Sequence, residues 1–284
     1  MPAVARLAAT LVLCLFAKGA ESTRQAPVYS AAGVVNAATN QPGPLAPLAL
    51  VSLYGRDLAS VSRVISPDDV RNGQLPTMLI GTGVSIAIDN VAVPIIFVSP
   101  SQVNFLIPGN IRTGRRTLRL LTNGKAGPDV EIEIVDSSPG FFQMDSGAVI
   151  ATRPNGALIT AQSPATPGEV LVIYAAGLGA TQPAITGLNI PIAAASISAR
   201  SQFSVLLNDI PVPDDHILYA GLTPGFAGLY QINCRVPIDS PSDPEIRIRL
   251  SGQISPPRLH LAVRSASSSL MKPIISDRLL FNEP

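Results

Sequence analysis

The stretch P-L-A-L-V-S-L-Y-G-R-D-L, Pro47 to Leu58, returns as P-G-E-V-L-V-I-Y-A-A-G-L at Pro167 to Leu178. Pro47 aligns with Pro167, Tyr54 with Tyr174 and Leu58 with Leu178, without a gap. What lies downstream recurs as well. Ser85 to Ile88, the pair Asp89-Asn90 and Val91 to Val93 reappear 119 positions on as Ser204 to Leu207, Asn208-Asp209 and Ile210 to Pro213. Asp and Asn tolerate the positive φ of a two-residue turn, so both copies read as a tight hairpin. Gln102 to Pro108 (Q-V-N-F-L-I-P) is matched by Gln231 to Pro237 (Q-I-N-C-R-V-P), now at an offset of 129. The second copy therefore carries about ten extra residues before this strand. Closing strands are expected at Val130 to Val135 and Arg258 to Val263. Strict alternation there sends one face to a core and the other to water.

The composition agrees with many short strands. The 27 prolines are roughly twice the average usage, and each removes a backbone donor and forbids helix interior. With 22 glycines they punctuate short apolar runs, and no stretch beyond residue 30 keeps a 3.6-residue period. The expected fold is all-β: two tandem immunoglobulin-like β-sandwiches, over 31–136 and 137–264, after a polar lead-in at 21–30. The boundary falls at Asp136 to Gly140, and 265–284 reads as a loosely attached tail. The second unit adds Val149 to Thr160, where Asn155-Gly156 signals a further hairpin. There is no Trp, so the Cys-Trp-Cys core of antibody domains is absent.

Residues 1–20 read as a signal peptide. Arg6 supplies the positive end, Leu7 to Ala17 the apolar run, and Ala17, Gly19 and Ala20 the small residues before cleavage. No later run reaches the length of a membrane span. Export places the protein outside the cytoplasm, as a secreted, periplasmic or cell-surface chain. Removing Cys14 with the signal leaves Cys234 alone, so no internal disulfide forms. A net charge of +1 offers no footprint for nucleic acid.

Several motifs then take on a collective meaning. V-V-N-A-A at 34–38, L-V-S-L-Y-G-R-D-L-A at 50–59 and V-S-P-S-Q-V-N-F-L-I-P at 98–108 stand in the first half. P-G-E-V-L-V-I-Y-A-A-G-L-G at 167–179 and Y-A-G-L-T-P-G-F-A-G-L-Y-Q-I-N-C-R-V-P at 219–237 stand in the second. Together they resemble the Solibacter-type C-terminal domain family over roughly residues 33–263. The resemblance implies a secreted acidobacterial protein and a β fold. It implies no catalytic residues, because that family has no agreed activity. Each half also resembles, more weakly, an IPT/TIG immunoglobulin-like domain.

Few residues here carry chemistry. Cys234 occupies the position of Phe105 in the first copy, which marks it as core rather than reactive thiol. Asp214-Asp215-His216 offers one histidine where zinc takes three or four N or S ligands, and His260 sits on the wet side of its strand. Asp68-Asp69 with Asn72-Gly73 lacks the alternating acids of a calcium loop and reads as a capped turn. Gln102 and Asn104 recur as Gln231 and Asn233, which points to structural amides bonded to nearby loop backbone. The candidate partner-contact loop is Tyr219 to Tyr230, with Tyr219, Phe226 and Tyr230. Its competing reading folds Phe226 back into the sandwich end or the domain junction. Without Trp, a stacking platform for polysaccharide is disfavoured. The chain is expected to be a non-catalytic binding or adhesion protein. It needs no cofactor or metal, and its partner is a protein or polysaccharide of the cell envelope or matrix. A ligand-free spacer is the alternative, and a hydrolase around His216 the more remote one.

Overall fold

The computed structural model describes residues 25–264, so the expected signal peptide at 1–20 and the tail at 265–284 lie outside the described residues. Those described form antiparallel sheets, three single turns of 3-10 helix and no α-helix. The chain is an all-β pair of immunoglobulin-like sandwiches. The first unit contains β1 (Val28–Asn36), β2 (Leu50–Arg56), β3 (Val84–Ile88), β4 (Ile95–Val98), β5 (Gln102–Leu106), β6 (Gly114–Thr122) and β7 (Val130–Ile134). One sheet runs Gln41–Pro42, β1, β2, β5, β4, Arg63–Val64. The other centres on β6, between β3 and β7. The second unit contains β8 (Val170–Ala176), β9 (Ala195–Ile197), β10 (Phe203–Leu207), β11 (Ile217–Leu222), β12 (Tyr230–Arg235) and β13 (Ile246–Leu250). There β8, β12, β11 and β9 form the larger sheet, and β10 pairs with β13 in the smaller.

The duplication holds at the level of register. Val51 faces Phe105 across β2 and β5, as Leu171 faces Cys234 across β8 and β12. Both hairpin turns have two residues at positive φ, Asp89 and Asn90 in one unit and Asn208 and Asp209 in the other. Each unit also keeps a β-bulge on the strand before the central hairpin, between Ile95 and Phe97 and between Ile217 and Tyr219. Alternation then builds the cores. Val51, Leu53, Val103 and Phe105 of one sheet pack with Ile86, Ile88, Leu118 and Leu120 of the other. Each such side chain contributes about 1.5–3 kcal/mol by leaving water. In the second unit Leu171, Ile173, Ile232 and Cys234 pack with Val205, Leu207, Ile246 and Ile248.

The two sandwiches also grip each other. Leu48 takes φ +61, rare for a branched side chain, and belongs to the second unit's core although it precedes β2. Gly228 takes φ +76, and a Cβ there would lie 2.4 Å from a methyl of Leu106 and 2.9 Å from Leu50 Cγ, so glycine suits both the turn and the close seat of the second unit's long hairpin on the first unit. Backbone bonds from Leu75 N–H to Leu188 C=O and from Ile190 N–H to Gly73 C=O, both 2.9 Å, tie a loop of one unit to a loop of the other.

Four expectations need correction. The lead-in at 21–30 is not simply polar: β1 starts at Val28, and buried Tyr29 donates its hydroxyl to Pro128 C=O and accepts from Leu120 N–H. Arg258 to Val263 keeps its alternation but is no regular strand. It alternates partners, bonding Ile246 and Pro244 on one side and Val149 and Ala165 on the other. Pro244, Pro256 and Pro257 leave that neighbourhood short of donors. The turn at Gly55-Arg56-Asp57 is shorter, since β2 continues through Arg56 and only Asp57 enters positive φ. The Asn155-Gly156 hairpin forms, but its turn spans Pro154-Asn155 with Gly156 at φ +85. Proline fixes the first turn position and moves the left-handed residue one place along.

The long connection after β2 is pinned by Asp69. Its carboxylate accepts from Ser66 N–H, Ser66 hydroxyl and Ile80 N–H and pairs with both terminal nitrogens of Arg63 at 2.8 and 2.9 Å. The acceptor positions are filled, and Pro67–Asp69 is the capped turn expected rather than a calcium loop. Burial alone would raise the Asp69 pKa. The hydrogen bonds from Ser66, Arg63 and Ile80 outweigh it and hold the pKa at about 2, below the ordinary 3.8. A depressed carboxylate stabilises the fold fully above its ordinary pKa, and that contribution fades as pH falls through about 2. Asp69→Asn should therefore lose about 3 kcal/mol in denaturant titrations at neutral pH. The difference from wild type should shrink as the titrations are taken below pH 3.8.

Candidate functional site

Period-2 geometry that sends Val51, Leu53, Val103 and Phe105 inward sends their neighbours outward. On the outer face of the first unit's larger sheet, Ser52 pairs with Asn104, Tyr54 with Gln102 and Phe97 with Asn104. Val64 follows beyond Phe97 on the edge strand. The residues opposite these in the second unit are Tyr174 with Gln231 and Tyr219 with Asn233. Thus a tyrosine, a glutamine, an asparagine and a further aromatic ring recur on the side that a core does not dictate.

The amides do not bond to loop backbone as expected. Gln102 Nε2 donates to Asn104 Oδ1 at 2.8 Å, and Gln231 Nε2 to Asn233 Oδ1 at 3.2 Å. Gln102 Nε2 also lies 3.5 Å from Ser52 Oγ. Gln102 Oε1, Asn104 Nδ2 and the Tyr54 hydroxyl have no partner among the described residues. Thr223 Oγ1 is the one side-chain N or O atom both buried and unbonded among those residues, so the amide ends reach water. Whichever way the amide pair is turned, one donor and one acceptor end stay free.

The two faces differ in cover. Tyr54 is 39% exposed, whereas Tyr174 is 8% exposed. Tyr174 packs in a cluster with Phe142, Ile150, Ala38 and Ala176, joined by Met144, Leu158 and Val172. Phe142 and Met144 and, from the added hairpin, Ile150 and Leu158 cover this side of the second unit's sheet. The first unit lacks that hairpin; on its outer face Tyr54 is exposed, Phe97, Gln102 and Asn104 are partly exposed and Ser52 is buried, while Gly228 approaches Leu50 and Leu106.

The residues singled out at 219–230 do not form one loop. Tyr219 lies in β11, and its hydroxyl accepts from Ala195 N–H and donates to Leu222 C=O. Burial raises its pKa. Tyr230 begins β12 fully buried, with its hydroxyl on Gly179 C=O, and burial pushes its pKa up strongly. Phe226 is half-buried in the turn before Gly228; there Gly225 N–H bonds Pro191 C=O of the same unit at 2.7 Å. The ten-residue excess is divided. Three residues form the 3-10 turn Asp214–His216, and seven lengthen the hairpin β11–β12. That division hid the match of Phe97 with Tyr219. The missed residues are therefore Tyr54 and Phe97, and the repeated Tyr54/Tyr174 position was the available signal.

Cys234 is buried and its thiol is pushed up to about 12 by desolvation. Asp214 pairs with Arg200 at 2.7 Å, and His216 Nδ1 lies 3.1 Å from Arg235 C=O. His260 Nδ1 lies 3.0 Å from Asp243 C=O. Among the described residues no three His, Cys, Asp or Glu side chains gather as metal ligands. An open cleft of about 580 Å³ between the units is lined by Thr39, Gln41, Gln143 and Arg258, and it has no buried polar group.

The sequence matches no family model and no curated protein. Among solved structures it is similar to the Bacteroides ovatus mixed-linkage glucan utilization locus protein SGBP-B, in complex with a mixed-linkage heptasaccharide. Identity is 10% and the TM-score 0.33, over 85% of this chain and 47% of that one. A surface glycan-binding protein from Prevotella bryantii is similar at 11% identity and TM-score 0.24, over 81% and 41%. Domains 5-6 of the S-layer protein SbsC are similar at 9% identity and TM-score 0.26, over 85% and 100%. The chain spans less than half the length of the first two. At such scores none of these likenesses carries a ligand or a role over.

The contrast in cover is measurable. Tyr174→Ala should cost about 3 kcal/mol of stability by opening a cavity, and Tyr54→Ala less than about 1 kcal/mol. Thermal or denaturant melts of the two variants check this. Cys234 should resist an aromatic disulfide reagent at pH 8 in the native chain and react fully in denaturant.

Proposed function

We propose that this is an exported, non-catalytic binding protein of the cell surface or extracellular matrix, and that its contact face is the outer surface of β4, β5 and β2. One observation carries the reading. The tyrosine–glutamine–asparagine–aromatic quartet is kept outside the core in both units, and only the first unit leaves its tyrosine exposed. An outward position is free to drift unless something uses it. In the second unit cluster packing uses Tyr174, while in the first no packing explains Tyr54. The donor and acceptor ends of the amide pair are held on strands, so little ordering entropy opposes their use. The lock between the sandwiches fixes this face relative to the rest of the molecule. The nearest side chains to a hydrolytic centre point elsewhere: Asp214 is engaged by Arg200, and His216 by a backbone carbonyl.

Labelled mature protein should bind isolated cell envelopes or matrix saturably. The double variant Tyr54→Ala/Gln102→Ala should weaken that binding at least tenfold. Arg115→Ala, on the opposite sheet and highly exposed, should leave it unchanged. Equal binding by the double variant and wild type would reduce the face to a structural feature and favour a ligand-free spacer.

A further inference from the structure

We infer that the ligand of this face is a neutral polysaccharide strand, an inference that rests on the binding role proposed above. The residues across the face are Val64, Phe97, Asn104, Ser52, Tyr54 and Gln102, and none is charged. Arg56, exposed and two residues beyond Tyr54 on the same side of β2, is the one charge at the margin of these residues. With one charge, at its margin, the face gives little Coulombic hold on a polyanion and none on a basic peptide. It suits a partner rich in neutral groups that both donate and accept hydrogen bonds.

Sugar hydroxyls are such groups, and the amide pair offers one free donor and one free acceptor side by side, with Ser52 beneath. Sugar rings also carry apolar C–H faces. Phe97 and Tyr54 stand on opposite sides of the amides, two strands and two residues apart. With strands about 4.8 Å apart and a rise of about 3.4 Å per residue, that separation is roughly 12 Å. The rings thus bracket the amides, and a chain crossing the strands meets ring, amides and ring in turn. Tryptophan is not required for this arrangement, because two smaller rings held on strands divide the apolar contact between them.

Affinity electrophoresis of the mature protein in native gels tests the inference, with hydroxyethyl cellulose, galactomannan or soluble starch as neutral probes and alginate as the acidic one. At least one neutral polymer should retard the wild type, with little dependence on salt. Tyr54→Ala, Phe97→Ala and Gln102→Ala should each weaken that retardation about tenfold, and Arg115→Ala should not. Circular dichroism confirms that the variants are folded. Retardation by none of the neutral polymers, or by alginate alone, overturns the inference. So does retardation that the three variants leave unchanged. Periodate oxidation of the envelopes then separates this inference from the binding role itself. Tyr54-dependent envelope binding that survives periodate means a protein partner, which overturns the glycan while leaving the binding face standing. Envelope binding that ignores Tyr54 and Gln102 overturns both.

Discussion

The antiparallel pairing of β2 with β5, repeated as β8 with β12, is the constraint from which the rest follows. A strand has two faces and no third choice, so one register decides both what fills the core and what meets the outside. Val51 opposite Phe105 commits Ser52 and Tyr54 to stand opposite Asn104 and Gln102. A slip of one residue would bury the amides and expose Leu53 and Val103. The hydrophobic effect that stabilises each sandwich therefore also holds the outer quartet in place, at no separate energetic cost. Hydrogen bonding between the two amides in each unit then fixes their orientation.

The two copies differ in what covers the tyrosine of that quartet. In the second unit Phe142, with Ile150 and Leu158 of the added hairpin, packs with Tyr174 in a small satellite core. The same unit also lengthens β11 and β12 so that their turn reaches the first unit. Gly228 permits that approach, and Leu48, in an unfavourable backbone conformation, closes it from the other side. Strain of this kind persists where surrounding packing over-determines it. Here that packing is the second unit's own core, which holds Tyr230 and Phe141 alongside Leu48. The second unit's additions thus serve two ends, cover for Tyr174 and contact with the first unit.

Exchange of partners is also visible where regular structure fails. Arg258 to Val263 alternates between Ile246 and Pro244 on one side and Val149 and Ala165 on the other, because prolines interrupt the donors that a continuous ladder needs. Asp69 shows the same economy in a loop: one buried carboxylate replaces the regular pairing that residues 59–80 mostly lack, tying Arg63, Ser66 and Ile80 to one point.

The sequence by itself determined the all-β class, the two copies, their hairpin turns and the burial of Cys234. Each of these is a local or period-2 property: Asx residues at positive φ, alternation, and Phe105 answering Cys234 at equivalent positions. It also showed that Gln102 and Asn104 recur, but not that they bond each other, since side-chain partners across a strand face depend on rotamers and cover. Tyr219, Phe226 and Tyr230 looked like one loop because they are close in sequence. Tertiary structure divided them among a strand, a docking turn and a core. It alone decided that Tyr54 stays open while Tyr174 is packed, because cover is supplied by residues distant in the chain. A linear pattern names the face a residue occupies, and only the folded neighbours decide whether that face is wet.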